Sequence, residues 1–250
     1  VLFLFSNKSH VANYFLSLYF LLIGLIILNI YGQTAGSPNY LAAILLVHWN
    51  PIFILAGPVL CIYVKIYLYK KHRFTYVDFI HVVPAIFILI NEWPYLILPF
   101  SDKLILVRLV HLKYENLYNI HLAFVNLKWV ILFRYGITLC YIIYAHFLFF
   151  RFKQSLLYSK LPHLKCLIID KWVFSLLFFS VLMCLGTMFG LLTREKLNAI
   201  FYLTFTGIAG GVLIFRLLMN PFILYGPTLI KEHDEIIVKS IRPLPNVLLS

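Results

Sequence analysis

The stretch "NYFLSLYFLLIGLIILNIY" (13–31) runs for 19 residues without a charge. That is about the length an α-helix needs to cross the hydrocarbon core of a bilayer. Lipid offers the backbone no hydrogen-bond partners, so a spanning segment in the absence of a closed barrel must be helical. Working outward, similar apolar runs recur near 41–66, 77–98, 124–150, 172–192 and 199–222. The alternating pattern of a membrane β-barrel is absent. The chain is 62% hydrophobic and only 12% charged over its 250 residues, more apolar surface than a soluble domain could hide. The fold class expected is all-α: a polytopic transmembrane helical bundle with six complete spans. The opening "VLFLF" (1–5) lacks the charged start and cleavage site of a signal peptide and reads as the end of a seventh span.

Net charge is +12. The basic residues cluster between spans, so topology and anionic-lipid contact explain them better than nucleic acid does. Loop 65–73 carries Lys65, Lys70, Lys71 and Arg73, and loop 151–165 carries Arg151, Lys153, Lys160 and Lys165, whereas loop 32–40 has no charge. The positive-inside rule therefore puts the first two in the cytoplasm, together with the tail from 228. The segment 101–122 must then lie outside despite Lys103, Arg108 and Lys113. Its polar positions Arg108, His111, Glu115 and Asn119 predict an amphipathic helix on the outer surface.

Polar residues inside the spans are the functional candidates, because a charge in hydrocarbon is costly. The outer half holds His48 and Asn50 in "VHWNP" (47–51), Asn91, Glu92 and Trp93 in "NEWPY" (91–95), and Arg134. A Glu92–Arg134 pair with His48 nearby would form a polar pocket open to the outside that binds a small ligand of unknown identity. The alternative is a buried ion pair that fixes helix register. The inner half holds Asp78, His81, His146 and Arg216. Headgroup anchoring explains Asp78 and His81, and Arg216 is expected to snorkel or to pair with Asp78.

Enzyme signatures are missing: no HExxH, GxSxG, Walker motif or GxGxxG occurs. Cys61, Cys140, Cys166 and Cys184 are scattered without a CxxC, so neither a disulfide framework nor a metal site is expected. Only His81 and His146 lie at depths that would suit a bis-His haem, and one such pair is weak support. No catalytic residue and no cofactor are expected. The small-residue run "GIAGG" (207–211) suggests close helix packing.

Three stretches carry a resemblance to a known family. "AGPVLCIYVKIYL" (56–68) has a Gly-Pro, a Tyr and a basic end. "DFIHVVPAIF" (78–87) opens a span with Asp, His and Pro after a basic loop. "NPFILYGP" (220–227) closes the last span with Asn220, Pro221, Tyr225 and Gly226. In order and spacing these resemble the membrane-embedded N-terminal region of bacterial AraC-type transcriptional regulators. In that family about seven spans precede a cytoplasmic helix-turn-helix domain. The resemblance implies a sensor and anchor domain over 1–226 and a cytoplasmic linker over 227–250, in which "RPLPN" (242–246) is extended. It implies the bacterial inner membrane, a cytoplasmic C-terminus, lipid and a small ligand as partners, and a homodimer as a candidate assembly. DNA would be reached only through a C-terminal domain outside this chain. The competing expectation is a small polytopic transporter or channel.

Overall fold

A computed structural model describes residues 11–34, 39–45, 48–69, 76–112, 124–157, 163–192 and 196–219. Among these residues every regular element is helical and no strand occurs. Helix α1 covers Val11–Thr34, α2 Asn39–Leu45, α3 Asn50–Phe53 and α4 Ala56–Tyr69. A 3₁₀ helix, Tyr76–Val82, leads into α5, Val83–Leu96, and α6 covers Phe100–Leu112. Three long helices follow: α7 Leu127–Leu157, α8 His163–Leu192 and α9 Lys196–Met219.

Five segments of the described residues are long and apolar enough to cross a membrane: Val11–Tyr31, Asn50–Tyr69, Phe79–Leu96, Trp129–Gln154 and Lys171–Met188. The sixth expected span, 199–222, corresponds to α9, whose described apolar stretch Thr204–Met219 is shorter. Residues 1–5, expected to end a further span, lie outside the described residues.

One expectation is corrected. The run 41–66 is not a single helix but α2, a turn at His48–Trp49, the four-residue α3, a second turn at Ile54–Leu55, and then α4. Proline supplies the reason. Pro51 has no N–H to give and sits at the start of α3, and Pro58 removes another donor from the first turn of α4. The Trp49 carbonyl accepts from both Ile52 and Phe53 at 3.0 Å, and Leu55 N–H turns back three residues to Ile52 O at 3.1 Å. The chain tightens toward 3₁₀ geometry instead of continuing as α.

Helices α1, α4, α7, α8 and α9 close a ring: α1 packs on α4, α4 on α7, α7 on α8, α8 on α9, and α9 returns to α1. Helix α4 is the hub of the core. Of the Asn50–Tyr69 span 67% is buried, against 28% for Phe79–Leu96, which places α5 at the periphery. Helix α3 packs on α5, and α2 packs on α6. Trp172 and Tyr63 are fully buried, and the indole Nε1–H donates to the phenol oxygen at 2.8 Å, which removes two polar atoms from an apolar interior. Hydroxyls on the long helices return to their own backbone: Thr138 to Arg134 O, Ser175 to Lys171 O, Ser180 to Leu176 O and Thr187 to Met183 O.

Gly57 explains the tight α4–α7 contact. A Cβ added there would lie 2.9 Å from Thr138 Cα and 3.3 Å from its carbonyl oxygen, both backbone atoms. Only glycine lets the two helices approach so closely. Among the described residues, the expected small-residue contact at 207–211 is not used. A Cβ at Gly207, Gly210 or Gly211 meets nothing within 4 Å.

Of the expected surface helix 101–122, the described part is helical as α6 from Phe100 to Leu112; Lys113, Glu115 and Asn119 lie outside the described residues. Arg108 is exposed as expected, but Lys103 is buried with Val107 and Val110 on the inward stripe. Helices α7 and α8 extend into the expected 151–171 loop, because charged side chains let a helix continue past the apolar zone.

Candidate functional site

The break after α2 decides which polar side chains turn inward. Asn50 is the first residue of α3 and is 4% exposed. Opposite it, α5 buries Ile88, Asn91, Glu92 and Tyr95, the i, i+3, i+4, i+7 face of one helix. Glu92 is fully buried, with 0% of its surface exposed. Arg134 reaches the same place from α7 and is 5% exposed.

These residues form a continuous hydrogen-bonded chain. Asn50 Nδ2 donates to Glu92 Oε1 at 2.8 Å, Arg134 Nη1 donates to Asn50 Oδ1 at 2.7 Å, and Arg134 Nη2 donates to the Tyr135 hydroxyl at 2.9 Å. Asn50 is suited to the centre because a carboxamide presents donors on one side and an acceptor on the other. The direct Glu92–Arg134 pair expected from the sequence is therefore replaced by a bridged one. The guanidinium also lies over two rings, with its Cζ 5.6 Å from the Phe53 centroid and 4.6 Å from that of Tyr135. The second carboxylate oxygen of Glu92, Oε2, has no hydrogen-bond partner among the described residues.

Asn91 has another task. Its Oδ1 accepts from Val125 N at 2.7 Å and its carbonyl from Phe124 N at 3.3 Å, so it fastens the segment entering α7 to α5. Trp93 is 56% exposed and does not share this buried face. It follows Glu92 by one residue, which turns it about 100° around a helix of 3.6 residues per turn.

His48 belongs to a neighbouring cluster. Its Nε2 lies 3.5 Å from Lys103 Nζ, and its ring meets Tyr95 edge-on at 5.5 Å. Lys103 also donates to Leu96 O at 2.9 Å and sits 5.3 Å from the Tyr95 ring centroid, while the Tyr95 hydroxyl donates to Ala43 O at 3.0 Å. This cluster ties α6, the end of α5 and α2 together. In the sequence Lys103 is one of the charges of a loop, and Tyr95 and Tyr135 carry no signal of their own among so many aromatics.

Inside the ring lies a cavity of about 40 Å³. All five ring helices contribute to its wall: Ile23 and Ile27 from α1, Leu60 from α4, Arg134 and Ile142 from α7, Met183 from α8 and Thr206 from α9. The polar chain thus reaches from α5, through the helix break, to the cavity wall. Glu92, Asn50, Arg134 and Tyr135 are themselves buried.

The other sequence candidates lie apart from this chain. His81 Nδ1 is 2.6 Å from the Tyr141 hydroxyl, and His146 Nδ1 is 3.0 Å from Ile142 O, one turn back on its own helix. Arg216 Nη1 donates to Ser175 Oγ on α8. Asp78 falls in the 3₁₀ helix with its side chain outside the described residues, as are Asn220, Pro221, Tyr225 and Gly226. Among the described residues no three His, Cys, Asp or Glu side chains gather in a group that could hold a metal.

No family model matches the chain, and no curated protein or solved structure shows significant similarity to it.

Proposed function

We propose that this chain is the membrane-embedded sensing module of a one-component transcriptional regulator of the AraC type. In this reading it holds a DNA-binding domain at the bacterial inner membrane and passes a signal to it through α9 and the residues that follow. The observation that carries the reading is the buried chain Glu92–Asn50–Arg134–Tyr135. It joins a peripheral helix, a helix break and the wall of the ring cavity. A ligand that engages Arg134 or Glu92 competes with Asn50, and the competition shifts α5 or α3 relative to α7. Such a shift transmits a signal only if the ligand binds one arrangement better than the other. The span-end sequences at 56–68, 78–87 and 220–227 support the family assignment, and the basic loops support an outward-facing site with a cytoplasmic C-terminus. The fold is then six spans.

The test is a transcriptional reporter driven by the intact regulator. Glu92→Gln keeps the shape of the side chain and removes its charge. It is expected to abolish the response while membrane insertion stays normal. An unchanged response in a normally inserted variant contradicts the proposal.

The helix break itself favours a second reading. Transporters often bind their substrates at discontinuous helices, where freed backbone groups face the cargo. Uptake by proteoliposomes containing the chain alone would support a small transporter or channel over a sensor.

A further inference from the structure

The cavity within the ring has a chemistry that points to an occupant. Its walls are mainly apolar, with Ile23, Ile27, Leu60 and Ile142 among them. Its one cationic wall residue among those described is Arg134, itself 5% exposed. A guanidinium has five N–H donors. Two are accounted for, one on Asn50 Oδ1 and one on the Tyr135 hydroxyl. Glu92 meets the guanidinium only through Asn50, and among the described residues no carboxylate pairs with it directly. A buried cation with spare donors and no direct counter-ion favours an anion, and a carboxylate matches the geometry of the guanidinium fork. The size of the space limits the rest. About 40 Å³ accommodates roughly three waters or a ligand of a few non-hydrogen atoms.

We propose that the ring cavity binds a small carboxylate with a short apolar tail, its carboxylate on Arg134 and its tail against Ile23, Ile27 and Ile142. The inference rests on the sensor reading for its meaning as a signal. Binding is measured without any transcriptional output, so the two fail separately. A carboxylate of this kind can arrive from water as a free short-chain acid or from the bilayer as the head of a long-chain fatty acid.

The chain, reconstituted in nanodiscs of uncharged phosphatidylcholine, is titrated with propionate in a calorimeter. Saturable binding is expected, with 1-propanol at least about tenfold weaker because it lacks the anionic head. Ile27→Phe fills the cavity and is expected to remove binding with helicity unchanged. Arg134→Gln is expected to weaken it roughly ten- to a hundredfold. The Ile27 variant keeps the test valid where the Arg134 variant fails to fold. Competition by palmitate supports the proposal with a membrane-borne source, and propionate binding untouched by palmitate supports it with an aqueous one. No saturable binding of either acid overturns the proposal, as does binding that neither substitution alters.

Discussion

Glu92, Asn50 and Arg134 are almost completely buried and share one hydrogen-bonded chain across three segments. His81, His146 and Arg216 are only half-buried; His81 meets Tyr141, His146 a carbonyl of its own helix, and Arg216 meets Ser175 on α8. In the sequence the first three read as a candidate pocket of the outer half, whereas His81 and Arg216 of the inner half read as headgroup anchors or snorkelling side chains. The difference teaches that burial and connection, more than polarity alone, separate a candidate site from an anchor. A half-buried cation keeps access to headgroups or water, so its neighbours are not obliged to match it. A fully buried one obliges every neighbour to match it.

Substitution can break this comparison most sharply at its two arginines. Arg134→Ala leaves Asn50 Oδ1 without its donor and Glu92 without the charge that Asn50 relays. A loss of about 3–5 kcal/mol is expected from unfolding in mixed micelles. Arg216→Ala is expected to cost about 1 kcal/mol in the same assay. Equal losses would erase the distinction. A second contrast lies between glycines. Gly57→Ala drives a Cβ into the backbone of α7 and is expected to destabilise by about 1–3 kcal/mol. Gly207→Ala meets open space and is expected to be neutral or to stabilise by up to about 1 kcal/mol through helix propensity. A large cost at Gly207 would reveal a close contact made outside the described residues. Trp172→Phe removes the hydrogen bond to Tyr63 and is expected to cost about 1 kcal/mol. Trp93→Ala, on the exposed side of α5, is expected to change stability by under about 0.5 kcal/mol and to leave the reporter response intact.

Hydropathy made the helical class legible, because lipid leaves the backbone few choices. The helices at 13–31, 77–98 and 124–150 follow from it directly. The break at 48–55 was not legible in the same way. Averaging over a span hides Pro51 and Pro58, and only their missing N–H donors, followed along the chain, interrupt the helix. Asn50, Glu92 and Arg134 stood out because polar groups in hydrocarbon are costly. Their order in the chain, with Asn50 in the middle, was not legible, since it depends on where α3 turns. Trp93 is adjacent to Glu92 in sequence, and helix geometry separates the two. Lys103, Tyr95 and the ring cavity come from packing between distant segments, which no local pattern encodes.

A double-mutant cycle between Glu92 and Arg134, with stability read from unfolding in mixed micelles, addresses the polar chain most directly. Glu92→Gln, Arg134→Gln and the double substitution are compared, then repeated with Asn50→Ala. The relay through Asn50 requires a coupling of about 1–3 kcal/mol that falls to near zero once Asn50 is gone. Effects that add to within about 0.5 kcal/mol with Asn50 in place would mean that the three residues do not act as one chain.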